Sequence, residues 1–139
     1  MPRGHRAARR RRRSKAREFI AAYNRRDFDT AVEDFDPEIE WVLPARQRSD
    51  SGRGPDAALR FFEQIDETME ELRLEPQQFI DAGDCVATRL RHHGRGKASG
   101  VEIDEELYHQ VATFRDGRIV RMEYFADWDE ALEAAGLRE

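Results

Sequence analysis

Few side chains in this sequence have both the type and the spacing for chemistry. His92 and His93 are adjacent, His109 stands apart, Cys85 is the only cysteine, and Glu123 and Asp127 lie either side of the aromatic pair Tyr124-Phe125. Neighbouring residues of a strand point to opposite faces, so His92 and His93 cannot hold one metal ion together. His109 has no ligand partner at close spacing and no zinc-type motif occurs, so no metal centre is expected. A lone cysteine excludes an intrachain disulfide, and no Cys/His/Asp nucleophile set can be assembled around it. The run GRGKASG, residues 94–100, lacks the Gly-Lys-Ser/Thr ending and the following helix of a phosphate loop, and no cofactor is implied. His92 is the titratable group best suited to acid–base work. Among aromatic side chains a histidine can hold a depressed pKa and serve as a base near neutral pH. With no partner carboxylate in sight, it reads equally as a hydrogen-bonded wall residue.

Placing these groups takes a sheet and helices. Ala16, Phe19, Ile20 and Tyr23 fall on one helical face. Asp27 reads as the N-cap of a second helix carrying Phe28, Ala31, Val32 and Phe35, ended by Pro37. Ile39, Trp41 and Leu43 alternate with polar neighbours in a strand that stops at Pro44. Residues 45–54 form a polar loop. Pro55 opens a helix whose apolar stripe runs Ala58, Phe61, Phe62, Ile65, Met69, Leu72. A strand over about 73–81 follows, turned back at Gly83-Asp84. In the strand 85–93, Val86, Thr88, Leu90 and His92 share one face, and Cys85, Ala87, Arg89, Arg91 and His93 the other. After a flexible connection, a long strand covers about 101–115. Asp116-Gly117 is the strongest hairpin signal in the chain, and 118–125 is the returning strand. Asp127 with Glu130 caps a last helix that Gly136 ends. Short turns between the later strands imply an antiparallel meander with helices over one face. No βαβ alternation occurs.

Bulk properties set the limits. The length fits one domain, and 39% apolar residues suffice for a packed core. Residues 1–17 carry nine basic groups and no acidic one. The remaining residues hold 15 basic and 29 acidic groups, so the net −5 conceals a basic tail on a body of −14. An acidic body repels phosphates, which leaves the Arg-rich tail as the only route to nucleic acid. Residues 1–14 have little to bury and repel one another, so they are expected to be disordered, with the folded domain at 15–139. No apolar run approaches the ~20 residues of a membrane span. The basic start has no apolar segment after it, as a secretory signal would, and a cytoplasmic protein is expected.

The segment REFIAAYNRRDFDTAVEDFDPEIEW resembles the opening helix pair and first strand of nuclear transport factor 2-like proteins. FRDGRIVRMEYFADWDEALEAAGL resembles the closing hairpin and helix of their SnoaL-like branch, and KASGVEI its entry to the fourth strand. The resemblance covers about residues 17–137. It implies an α+β cone: a curved antiparallel sheet with helices on its concave side, around a pocket for a small apolar molecule. Combined with strand alternation, it makes Phe19, Tyr23, Trp41, Leu43, Thr88, Leu90, Tyr108, Gln110, Met122 and Tyr124 the lining, with His92 among them.

The resemblance also tests particular chemistries. The three catalytic positions of ketosteroid isomerases fall on Phe19, Leu43 and Gln110, none of which can play its part, so that reaction is excluded. SnoaL-type cyclases use an acid near the end of the last strand. Asp127 is placed for that role and equally for the helix cap. Glu123 points away from the pocket if Tyr124 points in. Two readings follow: a pocket protein with isomerase-, cyclase- or dehydratase-type activity on a hydrophobic or polycyclic substrate, or a non-catalytic binding or dimerising module. The resemblance also implies a homodimer through the convex face, where Ala87, Arg89, Arg91, His93, His109, Val111 and Thr113 would lie without a covering helix.

Overall fold

The computed structural model describes residues 2–137. The helix α1 (Pro2–Asn24) is followed by a single-turn α2 (Phe28–Ala31), strand β1 (Phe35–Val42), a 3-10 segment (Ala45–Asp50) and a two-residue strand β2 (Gly52–Arg53). Helix α3 (Pro55–Thr68) leads into the hairpin β3 (Met69–Ala82) and β4 (Cys85–Gly96). Then come β5 (Glu102–Glu105), β6 (His109–Arg115), β7 (Arg118–Phe125) and α4 (Trp128–Ala134). The strands form one curved, unclosed sheet in the order β2-β1-β7-β6-β4-β3, with β5 also on β4. β1 pairs with β7 in parallel and every other pairing is antiparallel, so the sheet is mixed where antiparallel was expected.

The main core lies between the inner sheet face and α1 and α3. Ala16, Phe19, Ile20 and Tyr23 of α1 are buried as their spacing predicts, and so are Ala58, Phe61 and Phe62 of α3. Asn24 closes α1 by acting as a peptide group. Its carboxamide donates to the Leu74 carbonyl and accepts from the Leu74 N–H, both at 2.8 Å, and so fastens α1 to the edge strand β3.

Several boundaries differ from expectation. Residues 6–14 are not a disordered tail but the first turns of α1, tied down where Arg13 pairs with Asp81 and Lys15 with Asp34. Arginine and alanine are good helix formers, and anchoring at the C-terminal turns lets the helix propagate backwards. The expected second helix stops at Ala31. Phe35 and Pro37 belong to β1, whose register with β7 shifts between Phe35 and Glu40, so the missing Pro37 N–H interrupts no regular ladder. α3 ends at Thr68, short of the stripe's last members. Met69 and Leu72 continue into β3, where Leu72 lies against Gly94 of β4. Residues 101–115 are two strands rather than one, because β4 pairs first with β6 (Cys85–Thr88) and then with β5 (His92–Arg95). The Asp116-Gly117 turn forms as predicted, both residues at positive φ.

The convex face is also corrected. α4 covers its apolar centre: Ala131 and Ala135 pack on Ala87 and Val111. Arg89, Arg91 and His93 are engaged with Glu106, Asp104 and Glu75, so what is left beyond α4 is a paired, charged surface.

Candidate functional site

Alternation turns the predicted wall residues inward. Phe19, Tyr23, Trp41, Leu43, Thr88, Leu90, Gln110, Met122 and Tyr124 are all buried, and His92 is fully so. They meet as one set of aromatic contacts. Trp41 packs edge-on against Tyr124 (centroids 5.2 Å apart) and Phe62 (5.8 Å), Tyr124 against Tyr108 (5.2 Å), and Tyr108 against His92 (4.2 Å).

The polar atoms in this interior are unevenly satisfied. The Tyr124 hydroxyl donates to Gln110 Oε1 at 3.1 Å. Trp41 Nε1, Thr88 Oγ1, His92 Nε2 and Gln110 Nε2 are buried without a partner, whereas the Arg26 guanidinium lies against Tyr23. Buried polar groups are ordinarily paired, so four orphans in this interior are a departure that calls for a cause. Three of them can only donate. Trp41 Nε1 carries a hydrogen by its chemistry, and the Gln110 amide nitrogen is identified by its own oxygen accepting from Tyr124.

The third donor, His92, is fixed by the backbone. The break between β5 and β6 leaves a gap opposite residues 89–91 of β4, and two imidazoles close it. Leu107 N–H donates to His92 Nδ1, and Leu90 N–H to His109 Nδ1, each at 3.1 Å. A nitrogen that accepts from an N–H bears no proton, so the neutral His92 ring carries its hydrogen on Nε2, facing inward. Burial pushes His92 down to about 4, against the partial opposition of the Glu105 carbonyl. At neutral pH the ring is uncharged, with its lone pair occupied and its N–H free. The ring therefore meets the interior through Nε2, with the Glu105 carbonyl, at the end of β5, and the Leu107 N–H, just after it, beside the ring. His109 is likewise lowered by burial, although Glu106 opposes the shift. It was expected on the open convex face, and instead it is buried against Trp128.

Open space adjoins this interior at one end. A cleft of about 650 Å³ lies between the 3-10 segment, the start of β6 and the end of β7. Of the predicted lining only Tyr108 and Tyr124 reach it, and their rings, packed on His92 and Trp41, separate it from the buried interior. Burial pushes both hydroxyls' pKa upward, so both stay protonated. Arg46, Arg48, Phe125 and Glu130 also line the cleft, and sequence reading missed them. The available signal was an Arg-x-Arg pair immediately after the strand-ending Pro44. Asp127 does not line the cleft. Its carboxylate accepts the Asp129 N–H at 2.7 Å and caps α4. Glu123 pairs with Arg121. Cys85 contacts Thr113 at 3.4 Å, and burial raises its thiol pKa, which makes it a poor nucleophile. Among the described residues no group of three or more His, Cys, Asp or Glu is placed to hold a metal, and no helix is long and apolar enough to cross a membrane.

A curved sheet with helices inside it and donors at its floor defines a class of α+β proteins. The family model described as a SnoaL-like domain matches residues 16–122, and the chain belongs to that family. No curated protein sequence matches it. Solved structures resemble it at low identity. An NTF2-like protein of unknown function from Burkholderia pseudomallei K96243 is 22% identical over 88% of this chain and 95% of its own, with a TM-score of 0.76. TerC, co-crystallised with polyporic acid, is 22% identical over 91% and 98%, TM-score 0.75. A putative polyketide cyclase from Sinorhizobium meliloti is 23% identical over 80% and 93%, TM-score 0.62. At such identities the likeness is one of fold.

Proposed function

We propose that this chain is a small-molecule pocket protein whose interior receives a hydrophobic, carbonyl-bearing molecule and acts on it by isomerase-, cyclase- or dehydratase-type chemistry. The observation that carries the proposal is the orphaned donor set of Trp41, His92 and Gln110, with Thr88 beside it. Leaving such atoms unpaired costs roughly 1–3 kcal/mol each, a cost that a ligand offering acceptor oxygens would offset. Neutral N–H donors in a dry site stabilise negative charge growing on a carbonyl oxygen, which enolisation and ring closure both require. The TerC and polyketide cyclase folds belong with this reading by shape.

A second reading, a non-catalytic binder, is favoured by one observation. The buried polar residues described are Thr88, His92, His109 and Gln110, with no carboxylate to move a proton.

The test is a titration with anthraquinone-2-carboxamide, a flat diketone, followed by amide and indole NMR. The Trp41 indole N–H and the Gln110 side-chain amide should shift on binding. Thr88→Val should weaken binding several-fold while leaving the free protein as stable as the parent, or more so. A titration that moves neither signal removes the proposal. Binding without turnover of any activated β-dicarbonyl substrate supports the second reading.

A further inference from the structure

The cleft above the donors holds a charge feature that the interior does not explain. Arg46 and Arg48 line it from the 3-10 segment, both exposed, and neither takes part in an ion pair among the described residues. Some arginines of the sheet are paired, Arg89 with Glu106 at 2.9 Å, Arg91 with Asp104 at 2.7 Å and Arg121 with Glu123 at 3.0 Å, while Arg73, Arg115 and Arg118 are exposed without an ion pair among the described residues. Arg46 and Arg48 differ from these in lining an aromatic-floored cleft, on a body that is otherwise acidic. The segment that carries them is not a loose loop. Gln47 N–H donates to the Pro44 carbonyl at 2.8 Å, Ser51 N–H to the Arg48 carbonyl at 3.0 Å, and the Ser51 hydroxyl accepts the Leu43 N–H at 2.9 Å. These bonds fasten the segment to the end of β1, one strand from Tyr124 of β7. Among the described residues the only carboxylate lining the cleft is Glu130, on the first turn of α4.

We propose that the ligand of this cleft is an anion: a flat aromatic molecule whose carboxylate, or equally acidic enol, is held at the mouth by Arg46 and Arg48 while its ring system lies on Tyr108, Tyr124 and Phe125. This rests on the pocket reading above and names the substrate class of that site. Guanidinium groups suit the role because they present paired N–H donors to two oxygens at once and stack on aromatic faces such as those of the cleft. The arrangement sorts ligands by polarity along one axis, charged end outward and aromatic body inward. It selects against cationic and uncharged analogues. Glu130 opposes the anion and limits its affinity.

The test compares two probes of nearly equal shape, anthraquinone-2-carboxylate and anthraquinone-2-carboxamide, by isothermal titration of the full chain. The expected result is a carboxylate preference of tenfold or more. R46Q/R48Q should reduce it to about twofold, and E130Q should enlarge it. Salt at 0.5 M should shrink the preference in the parent and leave the double variant unaffected. Equal affinity for the two probes, or a preference that survives R46Q/R48Q, overturns the anion inference while the pocket reading stands. Failure of both probes to bind overturns the two together.

Discussion

His92 is neutral in the fold because its surroundings exclude charge, and that has a consequence for acid stability. An unfolded histidine titrates near 6.5, whereas the buried ring titrates at about 4. Between those values the unfolded chain binds the proton and the folded one does not. The site's contribution is therefore complete above about pH 6.5 and disappears as pH falls toward 4. The difference corresponds to roughly 3 kcal/mol overall, of which about 2 kcal/mol should be gone by pH 5. His109, lowered in the same direction, adds to the loss. Carboxylates such as Glu75 and Asp104 are held below their usual range and act only in stronger acid. Urea unfolding at pH 7 and pH 5 measures the effect. His92→Asn keeps an acceptor for Leu107 N–H without the titration and should flatten the profile. A variant as acid-labile as the parent would show that another group is responsible.

At the level of elements, the seam where β4 hands over from β6 to β5 is the feature on which the site depends. Two side chains replace ladder bonds there: His109 of β6 serves the Leu90 N–H of β4, and His92 of β4 serves the Leu107 N–H in the break between β5 and β6. His109→Ala leaves the buried Leu90 N–H without a partner at a cost of about 1–3 kcal/mol. Hydrogen exchange should report it as lost protection at Leu90, with partial recovery in His109→Asn. Unchanged protection at Leu90 in the alanine variant would mean that the bond is not needed.

Sequence alone could not reveal this seam. Alternation places His92 inward from any register, and the wall residues were legible for that reason, as was the Asp116-Gly117 hairpin, whose chemistry is local. The tautomer of His92 depends on which residue lies opposite, and that is a long-range fact. The α3–β3 junction was misplaced because Ile65, Met69 and Leu72 satisfy a helical spacing, while pairing with β4, which claims Met69 and Glu70, is invisible to periodicity. Trp41 and Gln110 were readable as lining but not as unpaired donors. Arg46 and Arg48 looked like part of an ordinary polar loop, since only the fold brings them to Tyr108 and Tyr124.

At the scale of the whole molecule, charge is divided along α1. Its later basic residues are used by the body: Arg13 meets Asp81, Lys15 meets Asp34, and Arg17 lies over the Phe79 ring at 4.8 Å. Arg6, Arg9, Arg10 and Arg11 are exposed. A chain beginning at Arg12 keeps the anchoring contacts and the buried stripe, so thermal unfolding should place it within about 0.5 kcal/mol of the parent. Removal through Lys15 should cost several times more. If the shorter deletion already unfolds the protein, the first turns of α1 carry more of the fold than their exposure indicates.

The parallel contact of β1 with β7 has a further consequence. Phe35 and Trp41 find their strand partners at Ile119 and Met122, about 80 residues later. Until β7 has been made, Trp41 has only Phe35, Phe61 and Phe62 of its aromatic neighbours against it, and the strand that carries it lacks its parallel neighbour. Such distant pairings form slowly, and an apolar segment waiting for them is open to other sticky surfaces. A nascent chain cut before β7 should therefore be held by chaperones in a pull-down where the full chain is released.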